Sequence, residues 1–149
     1  MSVRVHDPRP LEVLIADDHD LFALGLEETL AHCPDMIVVG RAADGAEAVA
    51  LASELRPDIV LMDVSMPRVD GILATREIAD TLERTRVVML SAHDDLQTVC
   101  RARAAGAAAY LSKGCPVDEV VSVVREVADW TSDGLELLER LPAVAAVAH

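Results

Sequence analysis

Apolar residues in this chain come in two rhythms. Short unbroken runs such as Val13-Leu14-Ile15-Ala16 and Ile59-Val60-Leu61-Met62 alternate with longer stretches whose apolar positions recur at helical spacing. Fully apolar runs of strand length read as strands covered on both faces, which is the pattern of a parallel sheet between layers of helices. The runs predict strands over Glu12 to Ala16, Met36 to Gly40, Ile59 to Met62, Arg86 to Leu90 and Ala108 to Leu111. The first intervening helix is expected to be capped by Asp20, to present an apolar face of Leu21, Leu24, Leu26 and Leu30, and to be closed by Pro34. Further helices are expected over Ala46 to Leu55, stopped by Arg56-Pro57, then Ile72 to Glu83, Leu96 to Ala105, ended by Gly106, and Val117 to Trp130. Asp44-Gly45 reads as a turn, and Val64 to Gly71, with Pro67 inside it, as a loop. Strict alternation with short connections implies an α/β fold: a doubly wound five-stranded parallel sheet with right-handed crossovers and helices on both faces.

Length and composition agree with that reading and narrow the function. The chain has 149 residues, enough for one domain with a core of its own. Residues 1–10 read as a loose N-terminus, 11–130 as the domain, and 131–149 as a linker or an extra C-terminal helix. In that tail Asp133 and Glu136 have capping-box spacing, and Leu135, Leu138 and Leu141 form a stripe that suits a satellite helix, a linker or a dimer contact. Hydrophobic residues are 52% of the chain but aromatics only 2%, so the core must be aliphatic. Acids outnumber bases 26 to 13, a net charge of -13, which disfavours direct binding to nucleic acid. Cys33, Cys100 and Cys115 are odd in number and scattered, as expected of reduced thiols in a cytoplasmic protein. No apolar run is long enough to span a bilayer and the N-terminus is not signal-like, so a soluble, intracellular protein with no membrane partner is expected.

The candidate chemistry stands at the strand ends. Asp17 and Asp18 follow the first apolar run, Asp63 follows the third, and Lys113 follows Tyr110-Leu111-Ser112. In an open parallel sheet the ligand crevice lies beyond the carboxyl ends of the strands, so these four residues are expected to converge. Three crowded carboxylates repel one another unless a divalent cation sits among them, and oxygen ligands select a hard ion such as Mg2+. Lys113 would supply a point charge for an anion beside that ion, most simply a phosphoryl group. Singly, each aspartate could be a helix cap and Lys113 a solvated charge; together they exceed what capping requires. A phosphatase of the haloacid dehalogenase type would need an aspartate two residues after its nucleophile, where this chain has Ser65. Neither GxGxxG after the first strand nor GxxxxGK[ST] is present.

The segments Leu14-Ile15-Ala16-Asp17-Asp18-His19, Leu61-Met62-Asp63-Val64-Ser65-Met66-Pro67-Arg68-Val69-Asp70-Gly71, Ser91-Ala92 and Gly106-Ala107-Ala108-Ala109-Tyr110-Leu111-Ser112-Lys113 occur in that order. This pattern resembles the receiver domain of two-component response regulators, specifically the NarL/FixJ (LuxR-type) subgroup, over roughly residues 11 to 130. The resemblance implies a flavodoxin-like, CheY-like sheet of strand order 2-1-3-4-5 and a signalling domain rather than an enzyme. It implies that a sensor histidine kinase phosphorylates Asp63, that Mg2+ is held by Asp17, Asp18, Asp63 and the backbone carbonyl of Ser65, and that Lys113 and Ser91 contact the phosphoryl group. It further implies that Ser91 and Tyr110 switch the conformation, with homodimerisation on phosphorylation as an expectation. DNA would be reached only through a C-terminal helix-turn-helix domain outside this chain, unless the receiver acts alone by protein contacts. Gly114 stands where many receivers have a proline. His19 reads as a surface imidazole, and His93 lies where the family tunes phosphoryl lifetime.

Overall fold

A computed structural model describes residues 9–66, 70–92 and 95–129. The elements alternate without exception: β1 (Leu11–Ala16), α1 (Asp20–Ala31), β2 (Met36–Ala42), α2 (Gly45–Leu55), β3 (Ile59–Asp63), α3 (Gly71–Thr81), β4 (Arg86–Ser91), α4 (Leu96–Ala104), β5 (Ala109–Ser112) and α5 (Val117–Ala128). The strands form one sheet in the order β2-β1-β3-β4-β5, and every pairing is parallel. The expectations for residues 1–8, for His93 and for the tail beyond Trp130 lie outside the described residues.

The two faces of the sheet explain the apolar runs. Along β1, Val13 and Ile15 face α1 and α5, while Leu14 and Ala16 face the opposite layer of α2, α3 and α4. The same alternation divides Ile59 and Leu61 from Val60 and Met62 along β3, so a strand covered on both sides has no polar position to spare. Each of these four β3 side chains is fully buried and contributes about 2 kcal/mol of transfer free energy. On the α2/α3/α4 side the helices meet the sheet through small residues, Ala48, Ala52, Ala74, Ala102 and Ala105, which let backbones approach closely in a core nearly without aromatic rings.

Local chemistry sets most helix starts. Asp44, Asp70 and Asp95 each accept the N–H three residues on, at 2.8, 2.9 and 2.6 Å, and begin α2, α3 and α4. Gly45 and Gly71, read from sequence as turn and loop, are therefore the first helical residues. The expected cap of α1 is corrected: His19 holds the cap position without a side-chain cap bond, and Asp20 instead takes the Arg41 guanidinium at 2.6 Å. The apolar face of α1 is corrected as well. Ala23, Leu26 and Leu30 are buried, but Leu21 is 87% exposed and Leu24 53%, because at 100° per residue Leu24 lies nearly opposite Leu26. Gly106 ends α4 with φ +105, a conformation that disfavours any Cβ.

Candidate functional site

Because all five strands are parallel, their carboxyl ends lie along one edge, and the register decides which residues meet there. Ala16 pairs with Met62, so Asp17 leaves β1 beside Asp63, the last residue of β3. Asp63 pairs with Leu90, and Ser91 pairs with Ser112, which brings the end of β4 and the start of the β5–α5 loop alongside. The Lys113 N–H donates to the Ser91 carbonyl at 2.8 Å and fixes that loop. The start of α3 presses on the same spot: a Cβ on Gly71 would lie 2.0 Å from the Asp63 carbonyl oxygen.

Asp17 and Asp63 are buried, at 1% and 2% exposure, whereas Asp18 is exposed. Lys113 Nζ lies 2.8 Å from Asp17 Oδ2 and 3.4 Å from Asp63 Oδ2, a full ion pair with the first and a looser contact with the second. Its ammonium also sits 4.7 Å from the centre of the Phe22 ring. Asp63 Oδ1 accepts the Ser65 N–H at 3.2 Å, while Asp63 Oδ2 has no hydrogen-bond partner among the described residues. Side-chain donor atoms of Asp17, Asp18, His19 and Asp63 all fall within 4.8 Å of one another. Two carboxylates at that separation repel by on the order of 3 kcal/mol at an effective dielectric of about 20. Burial above all, and then the Asp17 charge, raises the Asp63 pKa from its ordinary 3.8; Lys113 and the Ser65 N–H oppose the shift without cancelling it. One lysine shared between two buried carboxylates leaves this group under-neutralised. That donor set, oxygen-rich and short of positive charge, fits Mg2+.

Of the residues singled out from sequence, Asp17, Asp18, Asp63 and Lys113 are brought together. Ser91 is buried at the adjacent strand end, and Ser65 is exposed two residues beyond Asp63 on the loop. Tyr110 is not at the cluster's centre. Its ring is 4% exposed and packs in the layer that contains Met89, Ala102 and Ala105, so it is turned inward. Two contributors were not expected. His19 is 60% exposed, as a surface imidazole should be, yet its Nδ1 lies 3.0 Å from Asp17 Oδ1 and 3.1 Å from Lys113 Nζ. Its place directly after the acid pair was the available signal. Phe22 stands one turn further along α1, and nothing in its spacing announced a ring beneath Lys113.

The comparisons with known proteins agree with this geometry. The family model of the response regulator receiver domain matches residues 13–125. The chain belongs to the response regulator receiver family. This receiver is 38% identical to the transcriptional regulatory protein DegU of Brevibacillus brevis, over 86% of this chain and 54% of that protein. It is 39% identical to the response regulator GacA of Pseudomonas aeruginosa, over 78% of this chain and 55% of GacA. The receiver thus spans about half the length of the curated relatives it matches. Among solved structures, the signal receiver domain of the putative response regulator NarL from Mycobacterium tuberculosis superposes with a TM-score of 0.80 at 35% identity, covering 83% of this chain and all of that one. The response regulator domain of Thermotoga maritima CheB gives 0.76 at 31% identity, over 83% of this chain and 99% of its own. The strand order and subgroup expected from the motifs are both borne out. The family is one of signalling domains, and among the described residues no helix is long and apolar enough to cross a membrane.

Proposed function

We propose that Asp63 is the phosphoacceptor of this receiver and takes its phosphoryl group from a phosphohistidine on a sensor kinase. A carboxylate oxygen of Asp63 forms the new O–P bond as the P–N bond breaks, and the departing imidazole regains its proton from solvent. The observation that carries this reading is the Asp63 carboxylate itself: buried, its pKa raised, beside a second buried aspartate and 3.4 Å from one lysine. Asp17, Asp18, Asp63 and the Ser65 carbonyl are the residues that would hold Mg2+, which when bound neutralises charge on the phosphoryl oxygens. Lys113 would exchange its contact with Asp17 for the phosphoryl group, which a flexible ammonium can do without rebuilding the loop. The Ser91 hydroxyl would donate to a phosphoryl oxygen, and Tyr110, on the strand next to Ser91, would carry the change to the face formed by α4, β5 and α5.

The output is proposed on the names of the relatives. DegU is a transcriptional regulatory protein and the matched region is about half of it, so a receiver of this kind would act in the cytoplasm on a DNA-binding domain beyond residue 149. Homodimerisation on phosphorylation would be the link between the two. Incubation with acetyl phosphate, with and without Mg2+, followed by intact-mass spectrometry tests the acceptor. A Mg2+-dependent gain of one phosphoryl group that Asp63→Asn abolishes is the expected result; an equal gain in the variant would move the acceptor elsewhere.

A further inference from the structure

Phenylalanine and lysine each occur once in this chain, as Phe22 and Lys113, and the two meet. The Lys113 ammonium stands over the Phe22 ring, 4.7 Å from its centre, inside the distance of about 6 Å at which an aromatic face attracts a cation. Neither side chain is free in water: that of Lys113 is 12% exposed, and Phe22 is partly buried against the core beneath α1 and α5. That core is aliphatic elsewhere, and a leucine would fill the same space. What the ring has and leucine lacks is the negative charge density of its face.

The other groups around the ammonium are of a different kind. Nζ lies 2.8 Å from Asp17 Oδ2 and 3.4 Å from Asp63 Oδ2, the carboxylates proposed above to hold the cation. It lies 3.1 Å from Nδ1 of His19, whose own ring is mostly in water. A carboxylate whose charge is taken up by a cation holds an ammonium less strongly. The face of Phe22 carries no lone pair for a cation to claim, so its attraction for Lys113 persists when that of Asp17 is lost. The ammonium then divides between water and the site, and its flexible stem reaches both.

We propose that Phe22 is a positioning residue for phosphoryl transfer: its ring keeps Lys113 turned into the site while the lysine exchanges Asp17 for the phosphoryl group. The proposal rests on the reading of Asp63 as the phosphoacceptor and adds a residue that touches neither the phosphoryl group nor a metal. The ring acts on the population of one side-chain position. A transition state that needs the ammonium beside the phosphoryl oxygens is reached more often from molecules whose lysine is already inside. Weakening the attraction therefore slows the transfer even where the shape of the ring is kept.

Because each residue occurs once, biosynthetic replacement of phenylalanine by its mono-, di- and trifluoro analogues alters position 22 alone, and isotope-labelled lysine reports Lys113 alone. Fluorine draws electron density from the ring face with little change of volume, so the series weakens the attraction and leaves packing in place. With the full chain and acetyl phosphate at fixed Mg2+, the phosphorylation rate read by intact mass should fall at each step, reaching roughly a fivefold loss at the trifluoro ring. The Lys113 methylene next to the ammonium should resonate upfield of its position in Phe22→Leu, the reference without a ring, both in chelator and in Mg2+. In Mg2+ that shift should shrink as fluorines are added. A rate that stays level across the series, or a wild-type Lys113 signal no different from that in Phe22→Leu, would overturn the proposal while phosphorylation of Asp63 still stood. A wild type that takes up no phosphoryl group would overturn the acceptor reading and this proposal with it, even with the shifted Lys113 signal present.

Discussion

The two ends of the sheet carry carboxylates in opposite circumstances. At the end where the strands begin, Asp58 Oδ2 accepts the Glu12 N–H at 2.8 Å, the buried Thr85 hydroxyl donates to the Pro57 carbonyl at 2.7 Å, and Arg125 grips Asp35 with two bonds of 2.9 and 3.0 Å. At the end where the strands finish, Asp17 and Asp63 are buried side by side and share one lysine, at 2.8 and 3.4 Å. The first end uses its polar groups to close the structure. The second holds acceptors open at a cost in stability, the condition of a site that awaits a cation or an anion.

The largest effect is expected where backbone holds that second end together. Gly71→Ala places a Cβ 2.0 Å from the Asp63 carbonyl oxygen, and neither α3 nor β3 can retreat from a covered core. The substitution should destabilise by about 3 kcal/mol, the upper range for overpacking, lowering Tm by about 10 °C for a domain of this size. Calorimetry that finds Gly71→Ala as stable as wild type would mean that α3 is not pressed against the end of β3.

Next come two carboxylates whose removal should act with opposite signs. Asp63→Asn removes a desolvated, repelled charge and should stabilise the metal-free protein by about 1 kcal/mol. Asp58→Ala strands the Glu12 N–H and should destabilise by about 1 kcal/mol. Denaturant titrations in chelator compare them directly. Saturating Mg2+ should reverse the first result, since a cation that binds the wild-type site stabilises it by about 2.7 kcal/mol at a hundred times its dissociation constant. Equal signs for the two substitutions would erase the contrast between the ends.

This contrast was only partly legible in the sequence. The fold was, because Ile59 to Met62 and its companions are fully apolar and a parallel sheet is where such strands are stable. The convergence of Asp17, Asp18, Asp63 and Lys113 followed, since parallel strands bring their ends together whatever the side chains do. What the sequence hid was orientation. Leu21 and Leu24 looked like core and are exposed, because counting leucines does not fix the phase of a helix that also buries Ala23. His19 looked like surface and is, but a ring can be mostly in water while one nitrogen faces a buried carboxylate. The satisfied end was silent for a related reason: an Asp58 that serves the neighbouring strand, or an Asp35 that meets Arg125, needs the register before it can be seen.

Acidity should separate the ends further. The raised pKa of Asp63 means that its folded form resists ionisation, so its contribution to stability is full below the ordinary 3.8 and lost as pH rises through its folded value. The stabilisation given by Asp63→Asn in chelator should therefore be present at neutral pH and fade as pH falls through that raised value. An advantage independent of pH would assign it to packing instead of charge.

The smallest effect belongs to Asp35. Its bonds to Arg125, more than any other influence, lower its pKa below 3.8, so its contribution is present above 3.8 and lost as pH falls through the lowered value, the reverse of Asp63. Both partners are about half exposed, 49% and 48%, so solvent screens the pair and Arg125→Ala should cost only about 0.5 kcal/mol near neutral pH. Moderate salt should shrink that cost further, because water reaches both charges. The Asp63→Asn effect should respond less to monovalent salt, since its charge is buried and buried charges are screened less than a surface pair. Matched stability curves at low and high ionic strength would make the distinction: if the Arg125→Ala cost exceeded the Asp63→Asn gain, or persisted unchanged in salt, the ion pair at the satisfied end would be a structural clamp and not a surface contact.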